Sequence, residues 1–230
     1  SIKFALDQNY NLAVIFLIFA AILDTLDGRI ARLIKGTSEF GKELDSLTDF
    51  VSFGIAPAFI LYFWELKNYG KVGWAITLIF SVCCVLRLAR FNLTKILEDD
   101  EWKRNYFEGI PSPAGAILIL LPLIYELSEF QLNLDVKKFT PYLVVIVAVL
   151  LISTIPTFSL KKIKIPSELT IFVLFGIIII FVSLIFFTFK ALLVLGLLYL
   201  TSIPISYFLH KKTRKKLSKI LNEEDHEDVL

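Results

Sequence analysis

Apolar windows recur along the chain at about residues 10–33, 43–65, 71–93, 112–128, 139–157, 168–187 and 189–209. Backbone dissolved in hydrocarbon must satisfy its hydrogen bonds internally, so windows of about 17–25 residues cross a bilayer only as helices. The expected fold is an all-α integral membrane protein, a polytopic bundle of about seven transmembrane helices. It forms one domain over residues 1–209, with a basic-then-acidic tail at 210–230. The 112–128 window is the shortest, and Pro122 is expected to kink it. Composition agrees: 56% of residues are hydrophobic and mean hydropathy is +0.71, which excludes an ordinary soluble domain. The two cysteines, Cys83 and Cys84, are adjacent within an apolar run, a placement that suits core packing and neither a disulfide framework nor a zinc site. His210 and His226 lie at or beyond the end of the last window, which argues against histidine chemistry. There is no Met, so the native start is expected to be missing or removed, and no signal peptide is visible.

Lysine and arginine set the expected orientation. Connections holding Arg29, Arg32, Lys35 and Lys42, then Arg90, Lys95, Lys103 and Arg104, then Lys161, Lys162 and Lys164, fall on one side together with the tail. The other side has Lys3, Lys67, Lys71, Lys137, Lys138 and Lys190. The count is seventeen against six, which predicts that the first side is cytoplasmic. The basic half of the tail, from Lys211 to Lys219, suits anionic headgroups or an ordinary stop-transfer flank.

Two of these windows end in acids. The stretch DTLDGRIARLIKGTSEFGKELDSLTD, from Asp24 to Asp49, reduces to D-x2-D-G-x2-A-R-x8-G-x3-D-x3-D. On a helix Asp24 and Asp27 share a face, and so do Asp45 and Asp49. A carboxylate costs about 2.5–3.5 kcal/mol at the centre of a membrane helix and less near its end. Four together need a counter-charge, and a hard divalent cation such as Mg²⁺, Mn²⁺ or Ca²⁺ is the economical one. Gly28 permits close approach, Ala31 keeps that helical face low, and Arg32 offers a planar fork for a phosphate. Together they describe a site for a metal-bound diphosphate. A merely solvated acidic loop would not need the glycine, alanine and arginine at these places.

A second constellation follows. In VSFGIAPAF, Gly54 and Pro57 point to local thinning or a kink of the helix near the site. In CCVLRLARFN, Arg87 and Arg90 are three apart on one face near the cytoplasmic end of a span. An arginine inside a span suggests anion recognition, with structural pairing to an aspartate as the alternative; Arg90 could instead snorkel to the interface. In FEGIPSPAGA, Ser112 stands between two prolines, either presenting its hydroxyl to a ligand or acting as N-cap with Pro113 at the first helical position.

The acidic pattern resembles the signature of the CDP-alcohol phosphotransferases, with every fixed residue present. VSFGIAPA, RLARFN and FEGIPSPAGA resemble the serine-accepting branch of that family, which includes archaetidylserine synthases, and the resemblance covers about residues 12–118. It implies phospholipid biosynthesis: a phosphatidyl or archaetidyl group passes from CDP-diacylglycerol or CDP-archaeol to L-serine, and CMP is released. It implies one or two divalent ions, Mg²⁺ or Mn²⁺ with Ca²⁺ also able to bind, held by Asp24, Asp27, Asp45 and Asp49. Asp49 would be a shared metal ligand or the general base, the role for which it is the family's usual candidate. Asp24, Gly28, Ala31, Arg32 and Gly41 would contact the nucleotide. Arg87, Arg90 and Ser112 would contact the lipid phosphate or the serine. The family further implies a multi-pass cell-membrane enzyme in contact with membrane lipids, its site facing the cytoplasm, a homodimer, no nucleic-acid partner, and one more helix upstream of the acidic motif. Two rivals remain at this stage: glycerol phosphate or inositol phosphate as acceptor, and a cation transporter whose aspartates line the ion path. Transporter sites generally lie near the bilayer midplane, and these acids sit at span ends.

Overall fold

A computed structural model describes residues 1–33, 39–97, 106–130, 135–158 and 170–206. The tail lies outside the described residues. Chain order is α1 (Ile2–Leu6), α2 (Tyr10–Leu33) and α3 (Glu39–Asp49), then a π-helical segment (Phe50–Ile55), α4 (Ala56–Trp64) and a 3-10 turn (Leu66–Tyr69). There follow α5 (Gly70–Leu97), β1 (Tyr106–Glu108), α6 (Ser112–Leu127), α7 (Val136–Ile152), β2 (Pro156–Phe158), α8 (Thr170–Phe186) and α9 (Thr188–Ser206).

Within the described residues each apolar window contains a helix. Tyr10–Gly28, Glu43–Trp64, Leu66–Leu93 and Thr188–Ser206 are long and apolar enough to cross a membrane, and Ser112–Leu127 and Thr170–Phe186 are shorter apolar helices. The chain is a multi-pass membrane protein of helices, with one two-stranded ladder among the described residues. α5 packs along α7, α7 along α6, and α4 against α5 and α6. Phe80, Ile119, Leu120, Leu123, Val147 and Leu151 are fully buried where these helices meet. α8 has no buried residue and turns Phe172, Phe181 and Phe186 outward, the surface that hydrocarbon requires.

At the end of the bundle away from the acids, polar side chains tie the helices together. Lys137 at the start of α7 bonds Glu126 of α6 at 3.2 Å and lies over the Trp64 ring at 5.6 Å. The Tyr10 hydroxyl donates to the Phe63 carbonyl at 3.0 Å. Trp74 packs edge-on against Phe59 and Tyr62, an aromatic cluster suited to a membrane interface.

The irregularity predicted around Gly54 and Pro57 is a π turn. Pro57 has no N–H to donate, and the rung just before it shifts register: Ala56 N–H reaches back five residues to the Val51 carbonyl. Gly54 makes room on the same segment. A Cβ there would lie 2.8 Å from a Phe50 ring carbon and 3.2 Å from the Cys84 Cβ. The Gly54 carbonyl accepts a hydrogen bond from Ser81 of α5 at 3.4 Å.

Strands β1 and β2 pair antiparallel, Phe107 opposite Thr157. They clip the entry to α6 onto the exit from α7, and Gly109 N–H donates to the Ile155 carbonyl at 2.9 Å. Gly109 has φ +73°, and a Cβ there would lie 2.7 Å from the Ser153 carbonyl oxygen and 3.0 Å from that of Leu151. Gly109→Ala is therefore expected to cost about 2–4 kcal/mol through left-handed strain and overlap. The thermal unfolding midpoint of the purified protein in detergent should fall; an unchanged midpoint would show that the clip yields freely.

Candidate active site

α2 carries Asp24, Asp27 and Gly28 toward its C-terminal end, and α3 carries Gly41, Asp45 and Asp49. The two helices bring the acids together. Asp24 and Asp49, both half-buried, share a side-chain hydrogen bond. Asp27 and Asp45 are exposed and close enough for their charges to act on Asp24, and Asp45 acts on Asp49 as well. Two carboxyl groups in contact must share a proton or a cation. Among the described residues no three carboxylates converge to ligand distance; the contact is between one pair, with two more acids around it. The donor set is nonetheless all oxygen, the chemistry that Mg²⁺, Mn²⁺ and Ca²⁺ favour, so these residues fit a hard divalent ion. Thr25 and Thr48 are not part of it: their hydroxyls donate to helix carbonyls, at 2.9 Å to Ala21 and at 2.8 Å to Asp45.

Gly28 lies one residue past Asp27, and a Cβ built there would meet nothing within 4 Å. Mid-helix glycine costs about 1 kcal/mol relative to alanine, and among the described residues no side chain crowds the place a Cβ would take. Room for something other than protein is what the position offers. Gly41 is exposed. Ala31 and Arg32 lie in the last turns of α2, and their side chains are outside the described residues.

α5 and α6 supply the other wall. Arg87 is only 8% exposed, and its Nη1 donates to the Ser112 hydroxyl at 2.8 Å. Its guanidinium lies 5.9 Å from the Phe91 ring centre, and its charge reaches Asp49. The hydrogen bond goes to Ser112, so Arg87 is not consumed by an aspartate. Its Nε is buried with no protein partner, a condition that costs about 1–3 kcal/mol where nothing binds. Ser112 does not act as the expected N-cap. The cap position is Pro111, whose carbonyl accepts Gly115 N–H at 2.9 Å, and the Ser112 side chain makes no capping bond. A tertiary partner outcompeted the local one: the hydroxyl faces Arg87 and shares a further hydrogen bond with Cys84. Both cysteines are buried, as core residues should be. Arg90 is half-buried and donates from Nη2 to the Ser153 carbonyl at 3.0 Å, so it binds the C-terminal end of α7, where a cation is favoured.

Three neighbours of the site were not singled out by sequence. Asn92 donates from Nδ2 to the Ser46 hydroxyl at 2.9 Å, fastening α5 to the helix that carries Asp45 and Asp49. Its signal was its place in RLARFN; Ser46 had none beyond lying between the two acids. Tyr199 of α9 is within electrostatic range of Arg87, and a tyrosine in an apolar helix is too common to have stood out.

Comparison with known proteins places this geometry. Residues 1–156 match the CDP-alcohol phosphatidyltransferase family. A CDP-diacylglycerol–serine O-phosphatidyltransferase of Helicobacter pylori (strain ATCC 700392 / 26695) is 38% identical over 186 residues, covering 81% of this chain and 75% of that protein. The protein of that name from Mycobacterium leprae (strain TN) is 40% identical over 174 residues, 73% of this chain and 56% of its own. The one from Methanocaldococcus jannaschii is 35% identical over 152 residues, 66% of this chain and 64% of its own. With the acids gathered at the ends of α2 and α3 and the signature carried in full, the chain belongs to the CDP-alcohol phosphatidyltransferase family.

Proposed function

We propose that this protein transfers the phosphatidyl group of a CDP-lipid to the hydroxyl of L-serine and releases CMP. The observation that carries the reading is the Asp24–Asp49 contact beside the open face of Gly28, with a buried arginine across from it. The names of the relatives support serine as the acceptor and CDP-diacylglycerol as the donor. The serine oxygen attacks the phosphorus that bears the lipid, the bond to the bridging oxygen breaks, and CMP leaves with that oxygen. The hydroxyl proton passes to a carboxylate, and Asp49 is the candidate because it is half-buried and feels the charges of both the neighbouring acids and Arg87.

Asp24, Asp27, Asp45 and Asp49 would hold one or two Mg²⁺ or Mn²⁺ ions. Bound there, the metal supplies Lewis-acid neutralisation of the diphosphate and of the departing phosphate. Gly28 leaves space for the nucleotide, with Ala31, Arg32 and Gly41 as its further contacts. Arg87 and Ser112 hold an anionic group, the lipid phosphate or the serine carboxylate; pairing the acceptor's charged groups is what would exclude the wrong alcohol. Arg90 is assigned to holding α7, with a direct ligand contact as its secondary role. The lysine and arginine asymmetry supports a site facing the cytoplasm, and the family resemblance supports homodimeric assembly.

The test is CMP release from CDP-diacylglycerol by the purified protein with Mg²⁺ or Mn²⁺. Release should depend on L-serine and not on glycerol 3-phosphate or inositol phosphate. It should stop with EDTA and return with added metal. Asp49→Asn should lower it by about 10²–10⁴-fold, the usual contribution of a general base. Release with a different acceptor would remove the serine assignment, and release that survives chelation would remove the metal.

The Asn92–Ser46 bond sets where α3 stands, so Asn92 is a positioning residue. Asn92→Ala should raise the Mg²⁺ concentration needed for half-maximal rate by about fivefold to tenfold, the equivalent of one hydrogen bond of about 1 kcal/mol. KM for serine should hold. A Mg²⁺ titration that superimposes on the wild type would show that α3 is placed without this bond.

A further inference from the structure

α9 lies beyond the residues matched to the family, yet its Tyr199 comes within electrostatic range of Arg87. Its approach is fixed by Gly196, where a Cβ would lie 2.5 Å from Leu121 Cδ2 and 3.6 Å from Ile117 Cγ2 of α6. One turn on, on the same face, comes Tyr199. Its ring packs against the core and its hydroxyl oxygen is buried. It stands within electrostatic range of Arg87.

Arg87 itself is only partly used. Nη1 is bound to Ser112 at 2.8 Å, and Nε is buried with no protein hydrogen-bond partner. A phenol is neutral near pH 7, so Tyr199 cannot serve as the missing counter-charge; what it adds is a second, differently directed donor. A buried guanidinium edge and a buried phenolic O–H within electrostatic range of each other suit a single oxyanion.

We propose that Tyr199 is a ligand-binding residue whose hydroxyl donates to the same anionic group that Arg87 holds, the carboxylate of the acceptor or the phosphate of the lipid donor. The inference rests on the transfer reading above and adds a residue that none of the sequence motifs contains. It also gives α9 a part in the chemistry, where its sequence shows only an apolar span.

The experiment is steady-state CMP release by Tyr199→Phe, a change that keeps the ring in its packing and removes only the hydroxyl. L-Serine and CDP-diacylglycerol are varied separately, and serinol, which lacks the carboxylate, serves as a comparison acceptor. KM for L-serine should rise about tenfold, the loss expected for one hydrogen bond to a charged group, while kcat and KM for the donor stay within about twofold. The preference for serine over serinol should shrink by the same factor. A rise confined to KM for CDP-diacylglycerol would support the shared-anion site and assign it to the lipid phosphate. A loss confined to kcat, a lowered unfolding midpoint with both KM values unchanged, or no change at all would overturn the proposal. The wild-type enzyme measured alongside separates the two readings: if it releases no CMP with serine, the transfer reading falls and this one with it, whereas an active wild type beside an unaltered variant removes Tyr199 alone.

Discussion

Everything at the acidic end depends on holding like charges together. Asp24 and Asp49 touch, and Asp27 and Asp45 add their fields. Were both ionised with no proton or cation between them, two unit charges about 4 Å apart would repel by about 4 kcal/mol at an effective dielectric of 20. Helix ends carrying them would separate unless the rest of the fold opposed it. Two features oppose it. Asn92 ties α3 to α5 through Ser46, and the π turn at Phe50–Ile55 seats Gly54 against Cys84. The first is worth about one net hydrogen bond; the second works through close packing, which resists displacement in either direction. The scaffold thus keeps the acids together, the condition that the proposed cation and substrate would need.

The buried arginine shows the complementary side of the same constraint. An Arg87–Asp49 ion pair would relieve the repulsion most simply, but it would quench the proposed metal ligand and the proposed anion ligand in one step. Breaking such a pair to admit substrate would also leave two desolvated charges to be re-paired. Arg87 bonds Ser112 instead and acts on Asp49 only through its field. Ser112 in turn is fixed by Cys84 and by its place at the mouth of α6. The guanidinium is oriented by a neutral hydroxyl, which costs little to keep and leaves its charge available.

How much of this was legible in the sequence follows from where each signal is stored. Bilayer thickness imposes a length, so the helices were visible as windows. Helical periodicity imposes a spacing, so the pairing of Asp24 with Asp27 and of Asp45 with Asp49 could be read directly. Gly54 and Pro57 announced an irregularity, but its kind depends on which carbonyl the next free N–H can reach, which a sequence does not state. At Ser112 the local rule pointed to a cap, and Arg87, twenty-five residues away, took the hydroxyl. Arg90 carried an anion-binding signature and met a backbone carbonyl at the end of α7. Asn92 and Tyr199 were missed for opposite reasons: Asn92 stood inside a recognised stretch without a role, and Tyr199 stood in a helix whose other features were only apolar. Tertiary partners far apart in the chain account for each of these differences.

The placement of the site also follows from the two solvents that the proposed substrates occupy. One substrate is delivered through lipid and the other through water, so the reacting atoms must meet at headgroup depth. The acids are graded accordingly: Asp27 and Asp45 are exposed, while Asp24 and Asp49 are half-buried. Arg87 and Ser112 lie deeper, within the packed helices. An anionic group that reaches them must shed its water, and it gains in return donors whose strength is not diluted by solvent. That exchange favours a group fitted to those donors and penalises an acceptor that leaves a buried guanidinium nitrogen unpaired. On the proposed reading, selectivity for the acceptor would belong to the buried wall of Arg87 and Ser112 on α5 and α6, joined by Tyr199 of α9, and the generic task of carrying the diphosphate to the exposed acids of α2 and α3.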